Sequence, residues 1–74
     1  MDVEENPPVI QKVTIKLIQE SVDALDELIA LEGNSATDTV NRALQSYAFL
    51  VREIKAGSQI FVQNDEGVRK VNLS

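Results

Sequence analysis

Few side chains in this sequence can do chemistry, and their spacing narrows what they can do. Lys12, Thr14 and Lys16 alternate along Lys12-Val13-Thr14-Ile15-Lys16-Leu17. In an extended segment that spacing sets two ammonium groups and a hydroxyl on one side, a row of hydrogen-bond donors. Solvated charge on an exposed strand face is the plainer use of the same residues. Ser35 and Thr37 bring two hydroxyls into Gly33-Asn34-Ser35-Ala36-Thr37-Asp38, where Ser35 suits a helix N-cap in any reading. Asp23, Asp26 and Glu27 gather three carboxylates, but no third kind of ligand or partner base stands near them. A solvated helix face explains them better than a cation site or an acid–base pair. The chain has no Cys and no His, which removes thiolate nucleophiles, imidazole bases and Cys/His zinc sites together. Nor is there a Gly-rich phosphate loop. The chain is expected not to be an enzyme, with no catalytic residue, cofactor or metal.

The bulk numbers agree with a small folded chain. Seventy-four residues with 43% hydrophobic and 26% charged side chains make one domain, too apolar for disorder. A domain of this size without disulfides or metal often gains stability by oligomerising, so a homodimer is expected. No stretch approaches the roughly 18 apolar residues of a membrane span. The acidic, Pro-bearing start, Met1-Asp2-Val3-Glu4-Glu5-Asn6-Pro7-Pro8, is unlike a signal peptide. A cytoplasmic location without membrane partners is expected.

The elements that must position these residues can be read in order. Residues 1–8 are expected to be a flexible acidic tail, since Pro7-Pro8 blocks a helix. Residues 9–17 read as one strand, with Val13, Ile15 and Leu17 opposite Lys12, Thr14 and Lys16. No second strand follows closely, so pairing with the same strand of another chain is expected. From Gln19 to Leu31 the period becomes helical, with Val22, Leu25, Leu28 and Ile29 on one stripe. Ile18 offers no capping side chain, which leaves Gln19 and Ser21 as the expected caps. Gly33-Asn34 stops that helix. Ser35 opens a second one, with Asp38 in the position of a capping box's acidic member. Val40, Leu44, Tyr47, Val51 and Ile54 then recur at spacings of four and three, ending near Ala56-Gly57. The last segment predicts a hairpin in which Gln63 faces Val68, Val62 faces Arg69 and Ile60 faces Val71, around a four-residue loop ending at Gly67. Ile60, Val62, Val71 and Leu73 would share an apolar face lying on the helices. The organisation is thus an acidic tail (1–8), a strand–helix–helix domain (9–57) and a C-terminal β-hairpin extension (58–74).

The strand–helix–helix order over about residues 12–52 resembles the ribbon-helix-helix family of DNA-binding repressors, the Arc/MetJ type. The most specific carrier is the turn Gly33-Asn34-Ser35-Ala36-Thr37-Asp38 followed by Thr39-Val40-Asn41-Arg42-Ala43-Leu44. The resemblance implies a fold class: α+β, mainly helical, an intertwined homodimer whose N-terminal strands pair into one antiparallel ribbon. Its implied core is Val13, Ile15, Leu17, Leu25, Val40, Leu44, Tyr47 and Val51. It implies a sequence-specific transcriptional regulator, a repressor, that inserts the ribbon into the major groove of double-stranded DNA. Such stand-alone proteins are common on plasmids and phages. Lys12, Thr14 and Lys16 would contact bases; Asn34, Ser35, Ala36 and Thr37 would hold a phosphate at the start of the second helix.

Charge pulls the other way. Residues 1–34 set Lys12 and Lys16 against eight acidic residues, a charge of −6, and residues 35–74 carry +1, giving −5 overall. Affinity for DNA rests on neutralised phosphates. Weak, salt-sensitive binding is expected unless several dimers cooperate. Two further readings follow. The chain can be an acidic protein-interaction module on the same fold, working through the first helix or the hairpin, where Phe61 faces away from Ile60 and Val62. It can also be an antitoxin-like protein binding DNA and a partner, although a hairpin differs from the flexible extension usual for those.

Overall fold

The computed structural model describes residues 8–73. Over these the chain is a small α+β fold of α1 (Gln19–Glu32), α2 (Ala36–Lys55), β1 (Ile60–Asn64) and β2 (Gly67–Val71). The tail expected over 1–8 lies outside the described residues, Pro8 excepted.

Helix α1 starts without a side-chain cap. Ile18 is its N-cap, extended at φ −76° and ψ 165°, and only its carbonyl serves, accepting from Ser21 and Val22 at 3.0 and 3.1 Å. This corrects the expectation that Gln19 and Ser21 cap the helix. Gln19 is already helical, and its Nε2 donates to Asp23 Oδ1 at 2.9 Å, one turn on. Gly33, at φ 72°, closes α1 with an N–H bond to the Ile29 carbonyl at 2.8 Å.

Helix α2 starts with the expected Ser35 cap, but without the reciprocal bond from the Asp38 carboxylate to the Ser35 N–H that would complete a capping box. Ser35 is extended, and its Oγ accepts from the Asp38 N–H at 3.1 Å. The far end is a complete Schellman motif: Ser58 N–H donates to the Glu53 carbonyl at 2.9 Å and Gly57 N–H to the Ile54 carbonyl at 3.0 Å. Gly57 stands at φ 99°, where any side chain would be strained. Ser58 Oγ adds a bond to Glu53 Oε1 at 2.9 Å.

The hairpin has the expected register, Ile60↔Val71, Val62↔Arg69 and Gln63↔Val68. The ladder runs one pair further, to Asn64↔Gly67, so the connection is the two residues Asp65-Glu66, not four. Asn64 shortens it: its Oδ1 accepts from the Glu66 N–H at 2.8 Å, an Asx turn. No non-Gly residue among those described has positive φ, so the turn is not of the mirror-image I′ or II′ kind. Gly67, at φ 132°, takes up the mismatch with the strands. Ile60, Val71 and Leu73 are half-buried and line one open cavity together with Val51 and Ile54 of the end of α2. Val62 is more exposed, at 39%.

Residues 8–18 belong to no helix or strand within the chain, and the only sheet among the described residues is the hairpin. Hydrogen-bonded strand structure needs a partner, and β1 and β2 take each other. The helices lie against one another, yet among the described residues no hydrophobic one is buried, and Thr39, 2% exposed, is the one buried residue. The radius of gyration is 15.2 Å, against about 11 Å for a compact domain of this length. The single chain has the elements of a fold and lacks a core.

Candidate nucleic-acid interface

The residues singled out in the sequence fall at two places along the chain. Lys12, Thr14 and Lys16 are all exposed in the segment before α1. Their neighbours Val13, Ile15 and Leu17, expected in the core, are 69%, 63% and 45% exposed. Both sides of this segment are open in the single chain. Of the other residues expected in the core, Leu44 and Tyr47 are exposed, while Leu25, Val40 and Val51 are half-buried.

The second place is the junction of α1 and α2. Asn34 is half-buried; Ser35, Ala36 and Thr37 are exposed. The first amides of a helix have no intrahelical acceptor. Here Ser35 Oγ satisfies Asp38 N–H and the Ser35 carbonyl receives Thr39 N–H at 2.9 Å. The N–H groups of Ala36 and Thr37 have no acceptor among the described residues. Both residues are exposed at the positive end of a helix of 20 residues. The Thr37 carbonyl accepts from Asn41 Nδ2 at 2.7 Å.

Carboxylates crowd this end. Asp38 sits in the first turn of α2, and Glu32 Oε1 is 3.5 Å from Asn34 Nδ2. That contact is at the limit of a hydrogen bond, but it places a negative charge beside Asn34. The local field is set by free amides and a helix dipole against two acidic side chains. Arg42, exposed one turn further on, makes no hydrogen bond to Asp38 among the described residues.

Thr39 was not among the residues singled out. It is buried, and its Oγ1 donates to the Ser35 carbonyl at 2.8 Å, so the hydroxyl is satisfied within its own helix. The signal was present: a Thr four residues after an N-cap can make this i→i−4 bond. The apolar surface also extends beyond the expected stripe, with Leu31, Phe49 and Val68 all more than half exposed.

Glu20, Asp23, Asp26 and Glu27 are exposed along α1, the solvated face expected. No group of acidic residues that could hold a metal ion is present among the described residues, and none of their helices is long and apolar enough to cross a membrane. No protein-family model, curated protein or solved structure matches the chain.

Proposed function

We propose that the chain is a dimeric, sequence-specific DNA-binding regulator of the ribbon-helix-helix kind, acting as a repressor. One observation carries the reading: within the segment over 8–18, Lys12, Thr14 and Lys16 alternate with Val13, Ile15 and Leu17, yet the segment has no ladder partner among the described residues and both its faces are open. A second copy supplies what is missing. Antiparallel pairing about a two-fold at Thr14 puts Val13 opposite Ile15 of the other chain on the inner face. The exposed stripe of α2, with Leu44 and Tyr47, then has a surface to meet. Full burial of such side chains stabilises by about 1.5–3 kcal/mol each.

The same register fixes the outer face. Lys12 of one chain stands opposite Lys16 of the other, twice, and like charges directly opposite destabilise a ladder. A polyanion laid over the ribbon relieves that repulsion. The groove edges of base pairs accept from Lys, and the Thr14 hydroxyl or methyl can reach a base. The amides of Ala36 and Thr37, with Ser35 and Asn34 beside them, hold a backbone phosphate.

The test is selection of bound duplexes from a random library at about 50 mM salt, chosen low because phosphate contacts weaken steeply with salt. Wild type is expected to enrich a short palindromic or repeated motif, and the Lys12→Ala/Lys16→Ala protein to enrich none. Enrichment that survives the double substitution would exclude the ribbon as the reading surface.

The charge of −5 and the exposed acidic residues of α1 favour a second reading, an acidic protein-interaction module on the same dimer. It predicts no enriched duplex, and partner binding sensitive to Asp23, Asp26, Glu27 or Phe61 and indifferent to Lys12 and Lys16.

A further inference from the structure

We propose that the outer edge of β1 is a second self-association surface, pairing antiparallel with β1 of another copy about a two-fold at Val62. This goes beyond the regulator reading and does not depend on residues 8–18.

The ladder dictates which backbone groups are free. Asn64 and Gly67 flank a two-residue turn, so they are a pair that exchanges hydrogen bonds. Alternation makes Val62↔Arg69 and Ile60↔Val71 pairs of the same kind. Phe61 and Gln63 therefore direct their N–H and C=O groups away from β2, to the open edge. A two-fold at Val62 sets Phe61 opposite Gln63 of the second copy, so the outward groups of both meet their acceptors and donors. It also aligns all of Ile60–Asn64 with its own copy, the fullest overlap available to this strand.

Side chains select this edge over the other. β1 is Ile60-Phe61-Val62-Gln63-Asn64, with no charge, Pro or Gly. β2 carries Arg69 and Lys70 and begins at Gly67. Charged residues are what proteins place on edges to prevent pairing. On β1 nothing opposes a second copy, and Phe61 is left 55% exposed. A two-stranded hairpin is marginal by itself. The order β2-β1-β1-β2 gives four strands and continues the apolar face of Ile60 and Val62 across the join.

The absence of cysteine makes the test direct, because any introduced thiol is unique. Across the two-fold, Val62 is a non-hydrogen-bonded pair with Cα atoms about 4.5 Å apart, within the span of a disulfide. The experiment follows covalent dimer formation of full-length Val62→Cys and Val68→Cys under mild oxidation. Val68 lies on the β2 edge and is the more exposed, 61% against 39%. Random collision favours Val68→Cys. Pairing at β1 favours Val62→Cys, expected to cross-link at least roughly tenfold faster because its thiols are held in bonding geometry. Adding Gln63→Pro to Val62→Cys removes only an outward N–H and is expected to abolish the advantage, with an unchanged circular dichroism spectrum showing that the fold survives. Equal rates, a faster Val68→Cys, or an advantage that outlives Gln63→Pro overturns the proposal. Thr14→Cys, run in parallel, reports on the ribbon alone, so the failure of either surface is seen separately.

Discussion

At the scale of single residues, Ser35 holds three positions at once. Its hydroxyl caps Asp38 N–H, its carbonyl receives both Thr39 N–H and Thr39 Oγ1, and it stands beside the two free amides of Ala36 and Thr37. Ser35→Ala removes only the first of these. It should cost about 1 kcal/mol, the usual value of an N-cap, read as a shift in urea midpoint at unchanged slope. Ser35→Gly should cost only a few tenths. Both remove the capping hydroxyl, so the control is Ser35→Asp, which keeps a capping oxygen; if it costs as much as Ser35→Ala, the capping bond is not what stabilises this end. The ribbon lysines behave oppositely. In the proposed register, Lys12→Ala or Lys16→Ala removes both like-charge pairs of the dimer. The dimer should gain roughly 0.2–1 kcal/mol as DNA binding is lost. A gain in stability with a loss of binding marks residues kept for a ligand; a simple solvated lysine gives neither.

At the scale of elements, the ends of α2 are where local rules decide. Gly57 closes the Schellman motif at φ 99°, in open space. Gly57→Ala should destabilise by about 1 kcal/mol through backbone conformation alone, and a smaller effect in thermal melts would mean that the helix end relaxes. These ends were legible in the sequence because a cap is a short-range event: Ser35, Gly33 and Gly57 act on residues three to five positions away. The hairpin register was legible for the same reason, since alternation and a Gly-terminated turn leave few choices. The turn itself was read two residues too long, because the Asx bond of Asn64 to Glu66 N–H is a side-chain choice that period and composition do not encode. The start of α1 was misread because Ile18 caps through its carbonyl alone. Thr39 is not legible as a buried position because it is polar and stands outside the apolar stripe of α2, its hydroxyl being satisfied by the Ser35 carbonyl. The strand over 9–17 is a different case. Its alternation is plain in the sequence, but a strand exists only with a partner, and the described residues offer none.

At the scale of the whole molecule, no hydrophobic residue is buried among the described residues, and on the proposed dimeric reading stability depends on association. Its melting temperature should rise with protein concentration, and Leu44→Asp should leave a largely unfolded monomer. A concentration-independent melt would mean that the single chain is complete as it stands.

Association also doubles the charge problem, and this gives the sharpest division between the two readings of function. A dimer carries twice the −5 of one chain, with the excess on α1 and four lysines on the ribbon. Neutralising four phosphates gives a slope of log affinity on log salt of about −3.6. At 10 mM salt the Debye length is about 30 Å, and α1 carboxylates at that range repel the duplex; near 150 mM it is about 8 Å and they are screened. Salt therefore weakens the lysine contacts and the repulsion together, and the observed slope should be shallower than −3.6. Replacing the acidic face by Asp23→Asn, Asp26→Asn and Glu27→Gln should raise DNA affinity most at low salt and steepen the slope toward that limit. These three residues are exposed, and no hydrogen bond to Asp26 or Glu27 is formed among the described residues, so the fold should tolerate the change. A triple variant that binds DNA no better at 10 mM salt, and loses a protein partner instead, would identify α1 as the working surface and retire the ribbon.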